Sequence, residues 1–188
     1  MDRQKFLDFF FEASLNGWVG NAPEVTISEL PSFKVINYPD CGRPEMEGFF
    51  YRDSYSLNPE TKMSAGFTNI WHDRILIFTA GYGGYYPKEA LPFLKGALRN
   101  AYLQKVFYGG RGVDYRNDKF IYNIYCPEFD VIGIKERFAE KRAKDLLKQK
   151  NPIHFPIHFN GIETISNIND INQNMVIGWH TIWCMTLF

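Results

Sequence analysis

Tyr51, Asp53 and Tyr55 carry the first chemistry legible in this chain. In a β-strand the three side chains share one side, because side chains alternate along the strand. A carboxylate between two phenols suits a ligand with hydrogen-bond donors, and the rings offer stacking surface. Arg111, Glu163 and His180 extend the polar set, and Tyr82 and Trp179 extend its aromatic surface. This reading puts the eight residues on the open face of a sheet, where they would hold a small polar or anionic ligand. The competing account is structural: an Asp–Arg or Tyr–carboxylate bond that braces the sheet. Residue types alone accommodate both.

Catalysis is a weaker reading of the same residues. His180 beside Glu163 would make a carboxylate-oriented imidazole, the start of general-base chemistry. No convincing nucleophile accompanies it. Ser54 lies in no nucleophile elbow, and Cys184, four residues beyond His180, reads as packed. His154 and His158 have a spacing that suits metal binding on a helix, but Pro152 and Pro156 make the stretch extended. The two imidazoles would then lie ~13 Å apart. No metal and no cofactor is expected. The glycine-rich runs GYGGYYP and YGGRGVDY fit neither GxxxxGK[ST] nor GxGxxG. Gly109–Gly112 around Arg111 could cradle an anion, but a tight turn explains it more simply.

The elements that must position these residues follow from periodicity. Asp2 can cap a helix over 3–16, with Phe6, Phe9, Phe10 and Ala13 at helical spacing. Residues 21–47 contain Pro23, Pro31, Pro39 and Pro44 and read as a wandering segment with short extended pieces. Strands are expected at Gly48–Tyr55, Ala65–Trp71 and Ile75–Tyr82. A second helix is expected over 88–104, with Leu91, Leu94, Leu98 and Ala101 as its buried stripe. Gly96 inside it costs roughly 1 kcal/mol against Ala, which suggests close packing on a sheet. Three more strands follow at Lys119–Cys126, Ile157–Ser166 and Met175–Trp183.

The two halves therefore share one pattern, a helix followed by three strands. The expected fold is α+β: a duplicated α-βββ unit forming one antiparallel sheet with helices on one face. It is read as a single domain, with halves 1–87 and 88–188 and an insertion at 131–156. Residues 134–150 of that insertion are strongly amphipathic and predict a helix, with Ile134, Phe138, Leu146 and Leu147 on one side. Residues 135–150 carry seven Lys/Arg and three Asp/Glu, a local balance of +4.

Composition bounds the function classes. The 188 residues carry 21 basic and 21 acidic side chains, so the net charge is zero and a polybasic nucleic-acid arm is excluded. Interleaved acids make the 134–150 helix a solvated or dimer-contact helix rather than a phosphate binder. Cys41, Cys126 and Cys184 are odd in number and form no CxxC pair, which suits a reduced cytoplasmic setting. No window approaches the ~18 apolar residues of a membrane span. The aromatic content is high, with 17 Phe, 11 Tyr and 4 Trp, more than a small core needs.

A resemblance rests on several of these motifs together. The run Tyr51-Arg52-Asp53-Ser54-Tyr55, Gly66, Gly81-Tyr82-Gly83-Gly84, Gly110-Arg111-Gly112, Phe159-Asn160-Gly161-Ile162-Glu163 and Trp179-His180 resembles a bacterial family known only as a domain of unknown function. Its members occur alone or behind a helix-turn-helix in candidate transcriptional regulators. Thr68 stands where the family's first half usually carries glutamate, and Val113 where it usually carries proline. The resemblance implies the architecture and no established activity. The leading expectation is thus a non-catalytic binding module, with a homodimer as its possible assembly. A protein-interaction or regulatory module using the 134–150 helix comes second. An enzyme with a Glu163/His180 acid–base pair comes third.

Overall fold

The computed structural model describes residues 2–39, 44–107, 111–112, 114–131, 134–136, 157–168 and 175–187. The chain runs α1 (Arg3–Asn16), β1 (Val25–Ile27), β2 (Leu30–Pro39), β3 (Phe49–Leu57), β4 (Met63–His72), β5 (Ile75–Tyr85), α2 (Leu91–Leu103), β6 (Tyr115–Arg116), β7 (Phe120–Val131), β8 (Ile134–Glu136), β9 (Ile157–Asn167) and β10 (Val176–Thr186). The strands join one sheet in the order β1-β2-β3-β4-β5-β10-β9-β7-β6, with β8 beside β7. Every pairing is antiparallel. The α+β class is as expected. The meander β3-β4-β5 meets the strands β10, β9 and β7 along the β5–β10 seam.

Asp2 caps α1, its Oδ1 accepting from the Gln4 amide at 2.8 Å. Phe6, Phe9, Phe10 and Ala13 of α1 are all buried. Phe10 meets Phe78 of β5 at 5.6 Å between ring centres, Phe107 at 4.9 Å and Tyr102 of α2 at 6.0 Å. Phe93 of α2 packs on Phe120 of β7 at 5.4 Å. Both helices therefore cover one sheet face, and each fully buried Phe contributes on the order of 2–3 kcal/mol.

Several expectations change. Residues 21–47 are more ordered than their prolines suggest, since β2 is a ten-residue strand with Pro31 near its start and Pro39 at its end. Ile134–Glu136, assigned by pattern to a helix, instead form β8 against β7, while 137–156 lie outside the described residues. Gly96 does not pack closely on the sheet, because an added Cβ would meet only Tyr115, at an ordinary 3.8 Å.

The open face carries its own aromatics. Trp183 lies so flat over Gly81 that a Cβ there would sit 2.3 Å from its Nε1. Phe67 meets Trp183 edge-on at 6.2 Å. Among the described residues, no helix is long and apolar enough to cross a membrane.

Candidate functional site

Strand register decides which side each candidate occupies. Tyr51, Asp53 and Tyr55 pair with Ile70, Thr68 and Gly66 on β4, and these pair in turn with Phe78, Ala80 and Tyr82 on β5. Phe78 packs against Phe10 of α1, so this row of residues faces the helices. Tyr51 and Asp53 are buried there, at 4% and 5% exposure. The expectation that they lie on the open face is corrected. A carboxylate looks solvent-facing in sequence, yet here it is enclosed with hydrogen-bond partners. Tyr82, Glu163 and His180 lie on the same side, and Arg111 reaches it from the connection after α2. Trp179 points to the opposite, open face, because it neighbours His180 in an alternating strand.

Two carboxylates organise the interior. Asp53 Oδ1 accepts from Thr68 Oγ1 at 3.1 Å and from Tyr82 Oη at 3.0 Å. Burial outweighs these bonds and the Arg111 charge, and pushes the Asp53 carboxyl up to about 6. Tyr82 reaches Asp53 by crossing above Gly66. Nearer the surface, the Tyr55 hydroxyl donates to Glu24, which also pairs with Lys34 at 2.6 Å.

Glu163 is fully enclosed and fully partnered. Arg111 grips it through Nε, at 2.9 Å from Oε2, and through Nη2. Tyr122 donates to Oε2 at 2.6 Å, and His180 Nδ1 lies 3.2 Å from Oε1. Burial alone would raise this carboxyl, but the Arg111 guanidinium and the His180 bond hold it well below the usual carboxylate range. Burial likewise keeps His180 below its ordinary value, against the pull of Glu163.

An ionised Glu163 can only accept, so the His180 proton sits on Nδ1. Nε2 is then left as an acceptor, and Ser64 Oγ lies 3.0 Å from it. Ser64 and His180 are both paired with Gly84 of β5, one on each side. Two strand spacings separate their backbones, ~10 Å. They meet because Gly84 has no side chain: a Cβ there would approach His180 Cδ2 to 2.9 Å. Glu163 continues the same row on β9. The His180 ring stacks on Tyr82 at 5.6 Å and meets Tyr86 edge-on at 4.5 Å. The Tyr86 hydroxyl is buried with no hydrogen-bond partner among the described residues.

Between this row and the helices lies a cavity of about 720 Å³. Phe10, Trp18, Leu94 and Leu98 give it an apolar roof. Asp53, Ser64, Tyr82, Arg111 and His180 supply polar groups on its other side. Sequence reasoning named Asp53, Tyr82, Arg111, Glu163 and His180, and it missed Ser64, Thr68, Tyr86 and Tyr122. Alternation along β4 groups Ser64 with Gly66 and Thr68, and the β3–β4 register is what puts that group on the side of Asp53. Among the described residues, no group of three or more His, Cys, Asp or Glu could hold a metal ion. Comparisons with protein-family models, curated proteins and solved structures give no match, so the likeness to the bacterial family stands on the quoted motifs alone.

Proposed function

We propose that the chain binds a small amphiphilic molecule in the cavity between its sheet and its two helices. The carrying observation is a partly open cavity of about 720 Å³, with a buried carboxyl facing an apolar roof. That size suits a small ligand. Both hydrogen bonds to Asp53 land on Oδ1, which leaves Oδ2 to accept from a hydroxyl or amine of the ligand. The ligand's apolar body would lie against Phe10, Leu94 and Leu98.

The same reading treats the halves as copies of one α-βββ unit. Each presents a Gly-x-polar pair to the helix side, Gly66 with Thr68 and Gly161 with Glu163. The partner-binding reading rests on residues 134–150, of which 137–150 lie outside the described residues.

A thermal-shift panel of medium-chain alcohols, amines and carboxylates tests the binding reading. Stabilisation of the wild type by at least one class is expected. Leu91→Trp, which fills the cavity from α2, should lose that shift while melting cooperatively. A wild type that responds to none of these classes overturns the proposal.

A further inference from the structure

We propose that Ser64 is a nucleophile and that the chain hydrolyses a carboxylic ester with an apolar acyl chain bound in this cavity. The inference rests on the binding reading above and goes beyond it.

The geometry is that of a serine–histidine–carboxylate relay. Ser64 Oγ lies 3.0 Å from His180 Nε2, and His180 Nδ1 lies 3.2 Å from Glu163 Oε1. Such a relay needs the carboxylate ionised, the imidazole neutral and the proton on Nδ1. Arg111 enforces the first condition by gripping Glu163 through two nitrogens. The Glu163 bond sets the tautomer, and the stacked Tyr82 ring and edge-on Tyr86 fix the imidazole plane. Ser64 and His180 both line the cavity, so an ester carbonyl there can reach Oγ. These residues come from β4, β10 and β9, and a bracing role for the Ser64 hydroxyl would not require it to line a cavity.

The reaction balances without a further reagent except water. Ser64 Oγ attacks the carbonyl carbon and forms a C–O bond while His180 Nε2 takes its proton. The carbonyl electron pair moves onto oxygen, and Arg111, which lines the same cavity and holds Glu163 through Nε and Nη2 only, supplies positive charge toward it. Collapse expels the alkoxide, which takes the proton from His180. Water then attacks the acyl-serine with His180 again as base, releasing the carboxylic acid and restoring Ser64.

The test uses the whole chain with p-nitrophenyl butyrate and octanoate as substrates, an alkyl fluorophosphonate as trap, and 2-octanone as a ligand that cannot be hydrolysed. Wild-type protein is expected to turn over the esters and to gain one phosphonyl group, mapped to Ser64 by peptide mass spectrometry. Ser64→Ala should lose labelling and turnover, and His180→Gln should slow turnover by roughly 10²–10⁴-fold. Both variants should still be stabilised by 2-octanone, which shows that the cavity is intact. If 2-octanone stabilises the wild type but Ser64 stays unlabelled, or Ser64→Ala hydrolyses as fast as wild type, the nucleophile proposal is overturned and the binding reading survives. If 2-octanone and the amphiphile panel both fail to stabilise the wild type, the binding reading falls with it.

Discussion

Tyr82 lies over Gly66 so closely that a Cβ on Gly66 would sit 2.5 Å from the tyrosine hydroxyl. The same Cβ would come within 2.7 Å of the Ser54 carbonyl oxygen. This clearance lets a side chain of β5 cross β4 and bond Asp53 on β3. Gly66→Ala should therefore destabilise the protein by about 1–3 kcal/mol, the usual cost of overpacking. In a Tyr82→Leu background the same substitution should cost less, keeping only the part that comes from the Ser54 carbonyl. A urea-unfolding cycle over the four proteins measures the difference. Equal costs in the two backgrounds would show that the ring does not depend on the glycine.

Asp53 makes stability fall as pH rises through a defined window. Its folded carboxyl titrates at about 6 against an ordinary 3.8, so the native state holds the proton more tightly than the unfolded chain. Protons bound by the native state alone stabilise it at low pH, and that contribution is lost between about pH 4 and 6. Asp53→Asn keeps the shape and an acceptor for Thr68 and Tyr82 but removes the ionisation. The variant should exceed wild type by about 3 kcal/mol at pH 8 and lose that advantage near pH 4. Denaturant midpoints at the two pH values check it, and a constant difference would exclude the buried-acid account.

Glu163 shows the opposite sign. Its folded carboxyl lies below the ordinary range, so its stabilisation is present above about pH 4.5 and fades as the pH drops below that. Arg111→Met would strand the buried carboxylate, at a cost of about 3–5 kcal/mol. Adding Glu163→Gln should recover most of that loss, because a neutral amide tolerates the enclosed position better than an unpaired charge. A double variant no more stable than Arg111→Met would indicate that the arginine acts through packing instead.

Gly96→Ala should stabilise the chain by about 0.5–1 kcal/mol, because α2 gains helix propensity and the new methyl meets only Tyr115 at 3.8 Å. A thermal melt that drops after this exchange would mean the helix needs the glycine for a closer approach.

Local physics made some features readable in sequence. Asp2, the phenylalanine period of α1 and the alternation of β3 are short-range signals, and they located the helix, the strand and the shared side of Tyr51, Asp53 and Tyr55. The side itself was misjudged, since alternation states which residues go together and not which face receives the helices. Asp53 deepened the error, because an isolated carboxylate reads as solvated until Thr68 and Tyr82 are seen beside it. Ser64 was missed for another reason: its bond to His180 joins residues 116 positions apart and depends on the register of two strand pairings. The ten residues of β2 were hidden by the prolines at its ends, which in a strand mark its limits rather than forbid it.

The β5–β10 seam makes the cavity a reporter of long-range assembly. Thr181 and Gly83, joined across it, are 98 positions apart, so the sheet centre forms only after a costly loop closure. Ser64 stands on one side of the seam, and His180 and Glu163 stand on the other. The cavity lining draws on both sides of the seam, so a ligand that touched both would act as a fastener between them. Amide exchange along β5 and β10 should slow when the cavity is filled, by the factor that mass action assigns to the bound fraction.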